Sequence, residues 1–352
     1  MTPDPSGLAA DLLKDAVERI RQNRRFPEST YRVQFHAGFT FRDAAAIVPY
    51  LAELGVTHLY ASPYLRATPG SLHGYDVIDH GRLNPELGTQ HDFDALLAAL
   101  RDHGMSHILD IVPNHMGVGT NDNAWWNDVL ENGPASRYAA YFDINWNAAS
   151  PQSDHAGRAL LPCLGSIYGE VLEKGELKLG FNHGVFHVAY YERRFPISPK
   201  TYGLIFSDQT DLPAPLQALL QECDRLPDRC EGASAAGERH EAIRTIKQRL
   251  QSLSAEDTVR AAINNELRLI NGQPGDAVSF DRLDQLLRRQ CYRLASWRTA
   301  PDEINYRRFF DVNDLAAVAM ERKDVFDDAH ALVLKLLAEN KVTGLRIDHP
   351  DG

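Results

Sequence analysis

Apolar positions along the first third of the chain alternate between two periods. Leu8, Leu12, Leu13, Val17 and Ile20 fall on one face of a helix spanning about 7–22, which Pro27 ends. Residues 30–35 (Thr30-Tyr31-Arg32-Val33-Gln34-Phe35) are rich in β-branched and aromatic types and predict a strand. A helical pattern follows over 42–54, with Gly55 placed as its C-cap. Residues 56–60 predict a second strand, 62–89 a polar loop, 91–102 a second helix ending at Gly104, and 107–112 a third strand. Strand–helix–strand–helix–strand is the rhythm of a parallel sheet with crossover helices.

Beyond Met116 the rhythm lapses until about Lys341. The stretch to about 208 is aromatic and loop-rich. Within it, 177–181 and 185–191 predict two strands joined by Asn182-His183-Gly184, a hairpin signal. The stretch 209–300 is helical: Ile243, Ile246 and Leu250 recur at helical spacing, as do Leu283, Leu286, Leu287, Cys291 and Leu294. Ser254 and Asp257 offer a loose capping pair. A helix near 324–339 leads into a fourth strand at 342–347. The expected organisation is therefore 1–116 (N-terminal helix and three strands), 117–208 (aromatic, partly β insertion), 209–300 (helical insertion) and 301–352 (return to the sheet).

Composition adds exclusions. Hydrophobic residues are 43% and charged residues 24% of the 352, the balance of a globular protein. The net charge of −11 repels phosphate backbones, which argues against nucleic-acid binding. No run of about 18 apolar residues occurs, and the start has an acid and no basic cluster, so neither a membrane span nor a signal peptide is expected. The four cysteines (Cys163, Cys223, Cys230 and Cys291) form no Cys-x-x-Cys pair and are expected as free thiols in a reducing, cytoplasmic setting. His240-Glu241 lacks the second His of a zinc helix, and neither a phosphate-binding loop nor a Gly-x-Ser-x-Gly elbow is present.

Candidate chemistry gathers where strands end, the usual place for ligands in parallel sheets. The third strand, containing Asp110, runs into Pro113-Asn114-His115. The fourth contains Arg346 and runs into Asp348-His349. Arg346 and Asp348 are two apart and share a strand face. A guanidinium beside a carboxylate favours its ionised form, the form that attacks an acetal carbon. The same pair also fits a plain ion pair at a strand end. His115 fits a donor to a substrate hydroxyl or a satisfied loop histidine. Gly74-Tyr75-Asp76 fits a sugar-stacking turn or an ordinary one. Trp125, Trp126 and Trp146 fit a saccharide groove or the core of the insertion.

Taken together, the segments resemble the α-amylase superfamily of retaining glycosidases. Asp110-Ile111-Val112-Pro113-Asn114-His115 resembles its Asp-x-Val-x-Asn-His signature, and Gly344-Leu345-Arg346-Ile347-Asp348 its Gly-x-Arg-x-Asp signature. Gly74-Tyr75-Asp76 and residues 84–89 resemble the loop after the second strand. Residues 29–35, 60–64, 161–165, 177–179, 191–196, 305–315 and 345–352 are closer to the trehalose-forming transglycosylases of that superfamily.

The resemblance implies a (β/α)8 TIM-barrel fold of which about four strands are present, with a large mixed and helical insertion after strand 3. It implies an isomerase that turns the reducing-end α-1,4 bond of a maltooligosaccharide into α-1,1. Asp348 would be the nucleophile and Arg346 its orienting partner. Tyr75, Asp76, Asn114, His115 and His349 would bind substrate, and Asp110 would give structural support. No cofactor and no metal are expected, calcium included. Maltooligosaccharide is the expected partner, together with a C-terminal half or a trehalose-releasing hydrolase.

In that superfamily a general-acid Glu and a third carboxylate follow strands five and seven. Retaining catalysis needs two carboxyl groups about 5 Å apart. The expectation is thus an N-terminal part, inactive and aggregation-prone alone. A hydrolytic amylase relative and a non-catalytic glucan-binding remnant are the alternatives.

Overall fold

The computed structural model describes residues 11–18, 26–147, 157–227 and 232–350. Four strands form one parallel sheet: β1 (Thr30–Val33), β2 (His58–Ala61), β3 (Ser106–Ile111) and β4 (Gly344–Ile347), in the order β1-β2-β3-β4. Helix α1 (Phe41–Glu53) connects β1 to β2, α2 (Gln90–Asp102) leads into β3, and α3 (Lys323–Ala338) leads into β4. The expected rhythm is therefore present, with boundaries moved by one or two residues.

The reason lies in the alternation. Val33, Leu59, Leu109 and Ile111 point to one face of the sheet. They form a buried core with Val48 and Leu51 of α1, Leu96, Leu97 and Leu100 of α2, and Val333 and Leu336 of α3. Thr89 opens α2 as a capping box: its hydroxyl accepts from the Asp92 amide at 3.3 Å, and Asp92 accepts from the Thr89 amide at 2.8 Å. Asp92 also receives Arg42 of α1 at 2.5 Å, tying the two helices together. Gly55 follows α1 at φ 85°, the left-handed position expected of it.

The residues between β3 and β4 build a second core. Trp126, Phe142, Leu164, Phe186, Tyr202, Leu219, Ile246, Ile263, Leu286 and Tyr292 belong to one continuous buried cluster. Strands Leu177–Asn182 and Val185–Tyr190 pair antiparallel as expected, and the turn residues His183 and Gly184 both take positive φ (48° and 76°). Ile243, Ile246 and Leu250 are buried on the long helix Gly232–Leu253. Trp126 is buried, and Trp125 and Trp146 pack half-buried against the same cluster, so the tryptophans build core.

Three readings need correction. The helical pattern ends at Arg288: Tyr292–Ser296 is a strand, parallel to Ala159–Leu164, so Leu294 is a strand residue. Gln290 enforces the break by donating to the Leu286 carbonyl at 2.6 Å and accepting from the Ser198 amide at 2.9 Å. The polar loop at 62–89 contains two antiparallel strands, Leu65–Ala67 and Val77–Leu83. Ser254 does not cap the next helix; its hydroxyl donates back to the Gln251 carbonyl at 2.7 Å.

Residues 11–18 are helical, with Leu12, Leu13 and Val17 exposed; Leu8 and Ile20 lie outside the described residues. Cys163 and Cys223 are free thiols, Cys291 Sγ approaches the Glu131 carbonyl at 3.9 Å, and Cys230 lies outside the described residues. Among the described residues no helix is long and apolar enough to cross a membrane.

Candidate active site

The face of the sheet opposite the helices carries the polar side chains. Register places Arg32 beside Tyr60, and Asp110 beside Arg346, on neighbouring strands. Paired residues of a parallel sheet point the same way, and residues two apart share a face. Arg32, Tyr60, Asp110 and Arg346 therefore form one polar row across β1 to β4. Asp348 continues β4 by donating its amide to the Ile111 carbonyl at 2.9 Å.

Asp110 is the hub of this row, with no solvent exposure. It accepts from the Tyr60 hydroxyl at 2.8 Å, from the Tyr75 hydroxyl at 2.7 Å, and from Arg346 at 3.0 Å. The same Arg346 nitrogen donates to Asp348, so one guanidinium spans both carboxylates. Its bond to Asp110, helped by Asp348, raises the Arg346 pKa above the ordinary guanidinium range. Burial, reinforced by the bond to Asp110, pushes the Tyr60 and Tyr75 hydroxyls up, so both remain donors. Arg32 donates to the Tyr75 oxygen at 3.2 Å and lies over the Tyr60 ring at 5.6 Å.

Tyr75 reaches the row because of the turn before it. Gly74 has φ 77°, and a Cβ there would meet the Pro63 carbonyl oxygen at 2.3 Å, so only glycine fits. Asp76 is tied inside this turn, accepting from the Ser71 hydroxyl at 2.5 Å. The Tyr75 carbonyl meets His115 Nε2 at 3.1 Å. A carbonyl only accepts, so Nε2 carries the proton. Burial brings the His115 pKa down to about 4, leaving a neutral ring. Asn114 Nδ2 approaches His115 Nδ1 at 3.4 Å, and Asn114 Oδ1 is buried with no hydrogen-bond partner.

A third segment closes over these residues. Leu315–Ala317 pairs antiparallel with His115–Gly117, folding residues 305–318 back toward the sheet ends. This puts the Phe309 ring 4.1 Å from His115 and 4.8 Å from His349.

Arg346, Asp348, Asp110 and Tyr75 thus meet in one hydrogen-bonded network, with Asn114 and His115 behind Tyr75. Asp76 stands beside Tyr75 but faces its own turn, and His349 joins through Phe309. Sequence reading missed Arg32, Tyr60 and Phe309. Among the described residues no group of three or more His, Cys, Asp or Glu side chains is arranged to hold a metal ion. Asp110, enclosed by three donors, is not placed to give a proton to a leaving oxygen.

Residues 44–171 match the family model described as alpha amylase, catalytic domain. The solved maltooligosyltrehalose synthase of Arthrobacter ramosus is 36% identical, with a TM-score of 0.63 over 92% of this chain and 31% of that one. A second crystal structure of a maltooligosyl trehalose synthase is 30% identical, with a TM-score of 0.61 over 92% of this chain and 32% of its own. A candidate maltooligosyl trehalose synthase of Mycobacterium tuberculosis is 33% identical over 338 residues, 92% of this chain and 31% of that protein.

The α/β fold and the match over residues 44–171 relate the chain to the α-amylase catalytic-domain family. Within it, the chain is a homologue of maltooligosyltrehalose synthase. It spans about a third of the length of the relatives it matches, the N-terminal third.

Proposed function

We propose that the chain supplies the nucleophile half of an intramolecular transglycosylase. This enzyme converts the reducing-end α-1,4 linkage of a maltooligosaccharide to α-1,1, the trehalose linkage. The observation that carries the proposal is the single guanidinium of Arg346, which bridges a sealed carboxylate, Asp110, and a carboxylate at the strand end, Asp348. Asp110 fixes the arginine, and the arginine fixes Asp348.

The chemistry is a double displacement. A carboxylate oxygen of Asp348 bonds to the anomeric carbon while the bond from that carbon to the glycosidic oxygen breaks. A protonated Glu gives its proton to the departing oxygen. The freed glucose then turns, and its anomeric hydroxyl attacks the same carbon. The ester to Asp348 breaks and the hydroxyl proton returns to the Glu, so no atom is gained or lost.

Tyr75, Asp76, Asn114, His115 and His349 are the residues assigned to the ring at the cleaved bond. Asn114 and His115, both buried, act there through the placement of Tyr75. The Glu is assigned to the part of the relatives' length that this chain does not span. The four parallel strands are read as half of a (β/α)8 barrel, interrupted after β3 by a 117–208 unit and a 209–300 helical unit. Isomerisation outruns hydrolysis only where water is excluded, and these units are assigned to that enclosure. A C-terminal half and a trehalose-releasing hydrolase are the partners this reading implies.

The test is incubation with maltohexaose of the chain, alone and mixed with a polypeptide carrying the C-terminal two thirds of a maltooligosyltrehalose synthase. Reducing ends fall if the bond is isomerised and rise if it is hydrolysed. Loss of the fall in Asp348→Asn supports the assignment. A rise assigns the site to a hydrolase, and a fall unaffected by Asp348→Asn overturns the role of that residue.

A further inference from the structure

We propose that Phe310 is a stacking platform for a glucosyl ring at the rim of the Asp348 site. The proposal rests on the glucan reading above and adds a residue to it. Phe310 is 73% exposed, beside a polar site. Its φ of 51° lies in the left-handed region that a bulky residue rarely enters. His349, next in sequence to Asp348, also has positive φ (46°), and its ring lies 5.7 Å from the Phe310 ring at 86°. Strained backbone persists where the surroundings over-determine it, and such residues cluster at binding sites.

The surroundings here do over-determine it. Phe309, between the two, packs edge-on against Phe310 at 4.5 Å and rests on His115 at 4.1 Å. The Phe309 amide donates to the Leu315 carbonyl at 3.0 Å, and its carbonyl accepts from Val312 at 3.1 Å. Arg308 braces the turn through the Asp311 carbonyl at 3.0 Å and the Asn313 side chain. Arg307 anchors the segment on Asp143 at 2.8 Å. The exposed ring is therefore held in place at both ends of its backbone.

A fixed, solvent-facing aromatic ring contiguous with the nucleophile's neighbour suits the flat, uncharged C–H face of a pyranose. It leaves the sugar hydroxyls to the polar row and shields the reacting carbon from water on that side.

The experiment is calorimetric titration of maltohexaose into the chain and its variants, with thermal melts in parallel. Phe310→Gly removes the ring and suits the positive φ, so it folds. It is expected to weaken binding about 3- to 10-fold with an unchanged or raised melting temperature. Phe310→Tyr keeps the ring and is expected to bind within about twofold. If the unsubstituted chain binds and Phe310→Gly binds equally well, the platform is overturned while the glucan reading stands. If Phe310→Gly lowers the melting temperature and leaves binding unchanged, the ring is a packing residue and the proposal fails. If neither the unsubstituted chain nor its mixture with the C-terminal two thirds of a maltooligosyltrehalose synthase binds maltohexaose, the glucan reading fails and the platform falls with it.

Discussion

Replacing Asp110 by Asn should destabilise the sheet more than any single loss among its partners. The carboxylate is fully buried and accepts from Tyr60, Tyr75 and Arg346. A hydrogen bond to a charged group contributes about 1.5–3 kcal/mol. The Arg346 side chain is 45% exposed, so solvent screens its share. An asparagine keeps the volume but turns one oxygen into a donor. Turned one way, the new NH2 faces the two tyrosine hydroxyls; turned the other way, it faces the guanidinium. Either orientation loses the charge and at least one bond, which sets the expected loss at about 2–3 kcal/mol. Tyr75→Phe removes one bond and should cost about 1–1.5 kcal/mol. In the double variant the Tyr75 bond is already weakened, so the losses should fall short of additivity by about 1 kcal/mol. Urea unfolding followed in parallel by fluorescence and circular dichroism measures this, provided that the transitions coincide and m is unchanged. Hydrogen exchange at the β3 amides gives a local reading. A loss under about 0.5 kcal/mol for Asp110→Asn, or additivity within that margin, would refute the hub.

Acid should weaken the fold through its buried histidines. Burial brings His115 and His107 down to about 4 and His80 to about 3, against an ordinary 6.5. Folded rings stay neutral while unfolded ones take up protons, so full stability is present above 6.5. It is lost as pH falls through 6.5 toward 4, by about 1.4 kcal/mol for each pKa unit of depression at each site. His107→Phe should flatten this loss, and unchanged slopes between pH 7 and pH 5 would contradict it. Two glycines with similar φ should respond differently to alanine. Gly55→Ala meets open space and should cost about 1 kcal/mol from backbone strain alone, whereas Gly74→Ala collides with Pro63 and should cost about 2–3 kcal/mol more. Equal melting temperatures for the two variants would show that the turn before Tyr75 is not rigid.

What the sequence disclosed and what it hid follow from element length. β1, β2 and β3 each sit beside a helix of 13 residues with a clear apolar face, so their order and spacing were legible. Leu65–Ala67, His115–Gly117 and Leu315–Ala317 have 3 residues each, too few to display a period, and none is predicted as a strand. Leu283, Leu286, Leu287, Cys291 and Leu294 kept helical spacing across a boundary that Gln290 sets through a partner 92 residues earlier, Ser198. No local pattern carries that information.

The site divides along the same line. Arg346 and Asp348 were legible because their spacing of two at the end of β4 already fixes a face, and Asp110 because it opens the motif at the end of β3. Arg32 and Tyr60 were not, because neither has a partner within its own strand whose spacing points to chemistry. They acquire meaning only when register sets Arg32 beside Tyr60 and Tyr60 within reach of Asp110. The hydrogen bonds then run in one sense: Arg32 donates to Tyr75, Tyr75 and Tyr60 donate to Asp110, and Arg346 donates to both Asp110 and Asp348. With Asp110 saturated, Asp348 is the acceptor in the row with an oxygen to spare. Under the proposed function, strand register together with the spacing of Arg346 and Asp348 leaves the residue after β4 as the one to attack.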